Sequence, residues 1–237
     1  MSAAGPVIPN FGEGSACVTE NRLFCTDWVR DNWGGVIQPA LLEHVKLTLL
    51  AVAVGFVIAF AAALLAHRYR LAERPFVVFS AVVYTIPSLA LFQLLVPVTG
   101  LTVATVEVAL VGYTLLILFR NTLAGLRSTP PEVLEAARGM GFTPTQTLLR
   151  VELPLALPAI IAGLRVAVVS TIALATVAAF VVSQGLGVPI LGALRLDFST
   201  EIIAAGVLAV GLAIVADVLL VLAQRVVTPW AATRRTA

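Results

Sequence analysis

The chain has 237 residues and a mean hydropathy of +1.01, and 59% of its residues are hydrophobic whereas 12% are charged. Soluble domains carry about 25% charged residues, so this composition excludes an ordinary soluble protein and indicates an integral membrane protein. The net charge of +2 comes from basic residues scattered at the ends of apolar segments, which argues against a nucleic-acid-binding surface.

The N-terminal segment, residues 1–40, is rich in Gly, Pro, Asn and acidic residues. It lacks a basic stretch before an apolar core, so we do not expect a cleavable signal peptide. Trp28 and Trp33 are expected at the outer membrane interface, where aromatic rings are enriched. Cys17 and Cys25, the only cysteines, could form a disulfide on the oxidising side of the membrane or remain free thiols. Neither histidine lies near them in sequence, so we expect no metal site.

A bilayer crossing needs about 20 apolar residues, and the chain beyond the N-terminal segment offers five such stretches. The run from Pro75 to Val106 is uncharged but too long for one helix, and Pro97 with Gly100 is expected to divide it. We therefore predict an all-α integral membrane fold with five transmembrane helices, at about residues 47–66, 76–96, 102–120, 159–182 and 201–224.

Basic residues favour one side of this arrangement. Ten arginines lie on the side that holds the 67–75 turn, the 121–158 loop and the C-terminal tail, 229–237, against three or four basic residues on the other side. Because basic residues concentrate on the cytoplasmic side of membrane proteins, we expect the loop and the tail in the cytoplasm and the N-terminus outside. The ten are Arg68, Arg70, Arg74, Arg120, Arg127, Arg138, Arg150, Arg225, Arg234 and Arg235, and the others are Arg22, Arg30, Arg195 and Lys46.

Residues 129–158 form the one long polar interruption in the apolar second half of the chain. We predict two short helices here, joined by a glycine turn. Thr129 with Glu132, and Thr143 with Gln146, fit capping boxes, and in both a proline follows the threonine at the first helical position.

Glycines and prolines are expected to set the path of the chain through this loop. Gly139 and Gly141 can adopt the positive φ that ends the first helix and lets the chain turn. Pro154 and Pro158 are expected to reset the backbone before the fourth crossing.

The same stretch resembles the cytoplasmic loop of permease subunits in bacterial ATP-driven (ABC) importers. The family pattern is Glu-Ala-Ala, three residues, Gly, nine residues, an aliphatic residue, any residue, and Leu-Pro. It is met here with Val in place of the usual Ile, and the matching residues are Glu135, Ala136, Ala137, Gly141, Val151, Leu153 and Pro154. The resemblance implies a type I importer permease fold in which these residues form a cytoplasmic helix-turn-helix coupling loop against an ATPase. A surface helix-turn-helix with chance similarity is the alternative.

The second predicted crossing contains Pro87 near its middle. Such a break is tolerated only where protein or a water-filled cavity satisfies the freed backbone groups, and transporters use broken helices to shape a pathway. We therefore predict that Tyr84, Thr85, Pro87 and Ser88 lie on the translocation path. A simple helix kink is the alternative.

The resemblance covers roughly residues 41–225, and three short sequence segments narrow it to one group of permeases. Residues 84–92, residues 118–122 and the Gly185-Leu186-Gly187 turn are similar to those in permeases of osmoprotectant importers. Those importers carry glycine betaine, choline, carnitine or related quaternary amines. The same architecture could serve another small solute, such as methionine, a sulfonate or a phosphonate.

Three ionisable residues fall within the apolar runs, where charge is costly. Glu107 and Arg165 are expected to reach the interface by snorkelling, because both lie near predicted helix ends. Asp217 lies deeper, and we expect a structural hydrogen bond to a neighbouring helix rather than a substrate contact. No second intramembrane aspartate or mid-span histidine accompanies it, which argues against a membrane-embedded enzyme.

The resemblance implies an assembly in the bacterial inner membrane. Its members would be a second permease, identical or paralogous, two cytoplasmic ATPases and an extracytoplasmic substrate-binding protein. The chain has no Gly-rich Lys-Ser/Thr phosphate loop, so ATP and Mg²⁺ would bind the ATPase, and we expect no cofactor, metal or catalysis in this chain. Residues 41–228 would form the permease domain. A membrane scaffold or signalling protein is the remaining alternative.

Overall fold

A computed structural model describes residues 21–231, which are helical with short connections and contain no strand. The helices are α1 (Thr26–Asn32), α2 (Gln38–Arg68), α3 (Glu73–Thr85), α4 (Ser88–Thr99), α5 (Val103–Arg127), α6 (Pro131–Gly139), α7 (Pro144–Thr147), α8 (Leu153–Val177), α9 (Gly187–Leu196) and α10 (Ser199–Val227). Two π-helical turns, Trp33–Ile37 and Leu148–Glu152, join α1 to α2 and α7 to α8 without a break in the helical path.

Four helical stretches are long and apolar enough to cross a membrane: Thr26–Arg68, Val103–Arg127, Pro144–Phe180 and Ser199–Val227. Helices α3 and α4 together pass the same test, but they meet at an angle of 104°. With this bent pair counted as one crossing, the described part of the chain has the five crossings that the sequence predicts. The second crossing is a broken helix rather than a kinked one.

The crossings extend further than the apolar runs that predict them. We expected Pro154 and Pro158 to reset the backbone, that is, to interrupt the helix before the fourth crossing. This expectation is wrong, because the helical path is continuous from Pro144 to Phe180. Pro154 lies in the first turn of α8, where a missing N–H costs little, and Pro158 is accommodated one turn later. Pro97 likewise lies inside α4, and Gly100 ends that helix with a φ of +75°.

Helices α2, α5 and α8 form the centre of the molecule and approach each other closely through small residues. A Cβ added at Gly55 of α2 would overlap the Thr114 side chain of α5, and one at Gly163 of α8 would overlap Asn121 of α5. Small residues permit such close approach between membrane helices. The apolar cluster here combines alanines of α2 with larger side chains of α5, including Ala59, Ala63, Ala66, Leu118 and Phe119.

Helix α1 packs against the start of α10. The Trp28 ring is 6% exposed and lies edge-to-face on Phe198, with ring centroids 5.1 Å apart, so it packs in the protein rather than against lipid. Trp33 is 41% exposed. Cys25 is buried and disulfide-bonded, and Cys17, the other cysteine of the sequence, lies outside the described residues.

Candidate functional site

The polar loop between α5 and α8 turns sharply at Gly141. The N–H of Phe142 donates to the Ala137 carbonyl at 3.1 Å, and the N–H of Gly141 donates to the Arg138 carbonyl at 2.9 Å. This pair of hydrogen bonds, with Gly141 at a φ of +81°, is a Schellman ending of α6. A Cβ at Gly141 would meet nothing within 4 Å, so backbone conformation rather than space within this chain requires the glycine. Gly139 stays helical, and its expected positive φ is wrong.

Only one of the two predicted capping boxes forms. The Thr143 hydroxyl accepts from the Gln146 N–H at 3.3 Å and the Gln146 side chain accepts from the Thr143 N–H at 2.9 Å, as predicted. The box at Thr129 is wrong, because Pro130 is the N-cap of α6. The Thr129 hydroxyl instead donates to the Leu126 carbonyl at the end of α5.

The residues of the Glu-Ala-Ala pattern occupy two parts of this loop. Glu135 and Ala136 are exposed on α6, whereas Ala137 is buried. The remaining residues of the pattern are the turn residue Gly141 and three half-buried residues where the π-helical turn enters α8, namely Val151, Leu153 and Pro154. The structure thus presents an exposed helix face whose contact with an ATPase stays a prediction.

One polar contact joins the loop to the end of α2, and another joins the end of α5 to the start of α3. His67 Nε2 at the end of α2 lies 3.1 Å from Glu152 Oε2, and the Glu152 side chain is only 11% exposed. Arg127 at the end of α5 pairs with Glu73 at the start of α3, with 2.7 Å between nitrogen and oxygen. A cavity of about 550 Å³, lined in part by His67 and Phe142, separates the loop from α2. A displacement of Glu152 would therefore reach α2 through His67.

Other protein groups form hydrogen bonds with the backbone groups at the break between α3 and α4. The Val83 carbonyl accepts from the Ile86 N–H at 3.3 Å, and the Ile86 carbonyl accepts from the hydroxyl of Tyr113 on α5. The rings of Tyr84 and Tyr113 lie edge-to-face, with centroids 6.0 Å apart. The simple kink is thus excluded, and the prediction that Pro87 breaks this crossing is confirmed.

The four residues predicted for the path lie at this bend. Tyr84 and Pro87 are exposed, Ser88 is half-buried at the start of α4, and Thr85 is exposed with its hydroxyl donating to the Val82 carbonyl at 2.8 Å. Three of the four are therefore exposed at the bend. Their role in translocation stays a prediction.

The turn after α8 is held by two neighbouring side chains of α2. The fully buried His44 accepts the Leu186 N–H at Nδ1, 3.2 Å away, and donates from Nε2 to the Ile172 carbonyl, 3.0 Å away. A Glu43 oxygen accepts from the Gly185 N–H at 3.0 Å, and Gly185 has a φ of +81°. Sequence reasoning missed His44, although a polar pair at the start of an apolar run was the available signal.

Arg165 and Asp217 form an ion pair between α8 and α10. Arg165 donates from Nε and Nη2 to the two Asp217 oxygens, at 2.7 and 2.8 Å. The expected helix-to-helix hydrogen bond of Asp217 is confirmed, and the expected snorkelling of Arg165 is wrong because its partner is beside it. Snorkelling is also wrong for Glu107, whose carboxylate oxygens are buried without a hydrogen-bond partner among residues 21–231.

A membrane-embedded transport component is defined by three features together: the long apolar crossings, the broken second crossing and the loop that turns at Gly141. Residues 50–233 match the family model described as "Binding-protein-dependent transport system inner membrane component". The chain belongs to this family. It is therefore a transport permease, and membership implies that it works with an ATPase and a substrate-binding protein.

Two relatives agree with this assignment, and a solved structure shares the fold. The chain is 35% identical over 196 residues to the choline transport system permease protein OpuBB of Bacillus subtilis, covering 83% of this chain and 90% of the relative. It is 34% identical, with the same coverage, to the glycine betaine/carnitine/choline transport system permease protein OpuCB of that organism. A chain of the inward-facing MetNI methionine ABC transporter superposes with a TM-score of 0.70 at 23% identity, over 81% of this chain and 96% of that one. That likeness shows the fold.

Proposed function

We propose that this chain is the permease subunit of an ATP-driven importer for osmoprotectants, namely quaternary amines such as choline, glycine betaine and carnitine. The observation that carries the proposal is the 34–35% identity, over 83% of the chain, to permeases named for these solutes. The short sequence segments at residues 84–92, 118–122 and 185–187 support the same substrate class. A quaternary amine has no N–H to donate, so its route needs width and modest polarity rather than a dense set of hydrogen-bond acceptors.

The chain would act with partners that supply binding and energy. A second permease, identical or paralogous, would complete the path, and an extracytoplasmic binding protein would deliver the solute. Two cytoplasmic ATPases would bind ATP and Mg²⁺. The basic residues at the loop and tail support an orientation in the bacterial inner membrane with the N-terminus outside and the C-terminus inside.

Coupling would pass through the loop, termed the coupling loop here and comprising residues 129–158. The exposed side of α6, with Glu135 and Ala136, would lie in a groove of the ATPase as a helix-in-groove contact. Closure of the ATPases would move α6, and the contact between His67 and Glu152 would carry that movement to α2. The exposed bend at Tyr84, Thr85, Pro87 and Ser88 would line the route that opens and closes.

The test is solute uptake in a bacterium that lacks its own osmoprotectant importers. The chain is expressed with its ATPase and binding protein, and cells are given labelled choline, glycine betaine, carnitine, methionine, a sulfonate and a phosphonate at high osmolarity. We expect ATP-dependent uptake of at least one quaternary amine and restored growth. Uptake of only methionine, the sulfonate or the phosphonate would contradict the substrate class and leave the transport assignment intact. A chain that binds no ATPase would contradict both.

A further inference from the structure

The Arg165–Asp217 pair lies inside the membrane-spanning part of the chain. Arg165 is 6 residues beyond the start of the fourth predicted crossing at residue 159, or about 9 Å at a rise of about 1.5 Å per residue. Asp217 lies 7 residues before the end of the fifth predicted crossing at residue 224, or about 10 Å by the same rise. Since the hydrocarbon core is about 30 Å thick, both charges lie about a third of the way into it from the side of the coupling loop.

The pair is accessible from outside the chain at that depth. Each side chain is 34% exposed, although the two contact each other through both carboxylate oxygens. Helix α10 is also the least covered of the four long stretches, with 11% of its most apolar part buried against 33–50% for the other three. Charged side chains in membrane proteins rarely face lipid and instead face protein or a water-filled cavity. The exposed side of this pair therefore faces something other than lipid.

Arg165 keeps hydrogen-bonding capacity beyond the ion pair. A guanidinium has five N–H donors, and Asp217 accepts two of them. Within residues 21–231 the other three donors have no protein acceptor. Charged donors that lose water without gaining a partner are costly, so these three need water or a polar ligand.

We propose that Arg165 and Asp217 form a zwitterion-binding station on the translocation path, an inference that rests on the proposed function. The carboxylate of a betaine or of carnitine would accept from the free N–H groups of Arg165, and the trimethylammonium group would lie against Asp217. Choline has no carboxylate and would use Asp217 alone. The pair and a zwitterion each have zero net charge, so passage of the zwitterion adds no net charge to a region of low dielectric constant.

Replacement of both residues separates this role from a purely structural one. Removal of one partner would leave an unpaired charge within the membrane, whereas replacement of both partners by apolar residues of similar volume leaves none. The test variant is therefore Arg165→Met with Asp217→Leu, in the complete transporter with its ATPases and binding protein in proteoliposomes. The matched control is Arg127→Met with Glu73→Leu, because that pair has a 2.7 Å contact at the helix ends.

We expect the double variant to assemble and to retain ATPase stimulation by the loaded binding protein. Glycine betaine uptake should fall by about tenfold or more, since a hydrogen bond to a charged group is worth at least that factor. Choline uptake should fall less, and the control pair should change both solutes equally or neither. Wild-type uptake of both solutes by the double variant would overturn the proposal and make the pair a structural tie or a contact with the second permease. Equal loss of both solutes would also overturn it.

A second variant decides the matter if the double variant does not assemble. Arg165→Lys keeps the charge and the ion pair but loses the planar fork of donors. We expect the KM for glycine betaine to rise while the KM for choline is unchanged, and an unchanged KM for both would contradict the station. Failure of the wild-type transporter to move either solute would instead contradict the proposed function.

Discussion

At the scale of single residues, the coupling loop depends on backbone conformation more than on side-chain packing. Gly141 has a φ of +81° and open space around its Cα, whereas Gly139 two residues earlier is helical with equally open surroundings. A non-glycine residue in the left-handed region costs about 1–2 kcal/mol, and more when it is β-branched. The two glycines can therefore be compared directly, because position 141 requires a positive φ and position 139 does not.

The first prediction uses that comparison. Gly141→Val should leave the chain inserted in the membrane but reorient the segment after α6, because valine disfavours the φ of this turn. Association with the ATPase, measured by co-purification in mild detergent, should fall, and uptake should be abolished.

Gly139→Val is the control for this prediction. The same side chain is added two residues away, in a helical conformation and with no atom in its way. It should retain ATPase association and most of the uptake. Normal uptake by a well-expressed Gly141→Val variant would show that the turn is not needed for coupling.

The second prediction concerns Tyr113. Its hydroxyl donates to the Ile86 carbonyl at the bend, so Tyr113→Phe leaves that carbonyl without its partner. The unfolding free energy should fall by about 1–3 kcal/mol, the cost of an unsatisfied buried acceptor. Thermal unfolding in detergent measures this loss. Tyr84→Phe is the matched control, because the Tyr84 ring packs on Tyr113 but its exposed hydroxyl makes no hydrogen bond to residues 21–231. Equal stability of the two variants would contradict the importance of this contact.

At the scale of elements, the broken second crossing is the clearest departure from a plain helical bundle. Helices α3 and α4 meet at 104°, and α5 holds the bend through Tyr113. Non-helical backbone at membrane depth is tolerated where it lies against protein or lines a water-filled cavity. Since Thr85 and Pro87 are exposed on this chain, their surface faces either a second subunit or an aqueous route.

The third prediction tests this surface with single cysteines in a background without Cys17 and Cys25. Cysteines at positions 85 and 88 should react with small water-soluble thiol reagents, and more so in one nucleotide state of the transporter. A cysteine at 57 should stay unreactive, because Val57 is 66% exposed on the first crossing and is expected to face lipid. Equal inertness at all three positions in every nucleotide state would place the bend outside the path.

Structural features that depend on neighbouring residues could be predicted from the sequence. Side-chain contacts between helices far apart in the sequence could not. The Pro87 break, the Gly141 turn and the Thr143 capping box each follow from residues close in sequence. The Thr129 box failed because Pro130 rather than Thr129 is the N-cap of α6, and the Thr129 hydroxyl donates to the Leu126 carbonyl instead. The His44 contacts with Ile172 and Leu186, and the Arg165–Asp217 pair, join residues from 52 to 142 positions apart. The hydrophobic pattern of the sequence does not indicate which residue of another helix such a side chain contacts.

At the scale of the whole molecule, the coupling loop and the N-terminal helix lie at opposite ends of the long helices. His67 at one end of α2 meets the loop residue Glu152, whereas Glu43 near the other end holds the turn at Gly185. The 24 residues between Glu43 and His67 span about 36 Å of helix, which exceeds the thickness of the hydrocarbon core. The two ends of the molecule therefore belong to opposite sides of the membrane.

The fourth prediction assigns those sides. Reporter fusions after Arg127 and at the C-terminus should read cytoplasmic, and a fusion before Trp28 should read external, as the distribution of arginines indicates. An external N-terminus would also keep Cys17 and Cys25 in a compartment that permits a disulfide. A cytoplasmic signal from the N-terminal fusion would contradict this orientation and make the bent pair α3–α4 a re-entrant segment rather than a crossing.

The most direct test of the account is ATP-driven solute accumulation by the reconstituted transporter. Proteoliposomes that contain this chain and its ATPase, with ATP on the side of the coupling loop and the binding protein on the other, are given labelled glycine betaine or choline. We expect accumulation against a gradient that is coupled to ATP hydrolysis, is lost in Gly141→Val and is retained in Gly139→Val. Hydrolysis and uptake that are independent of this chain, or accumulation that is unaffected by Gly141→Val, would contradict this expectation.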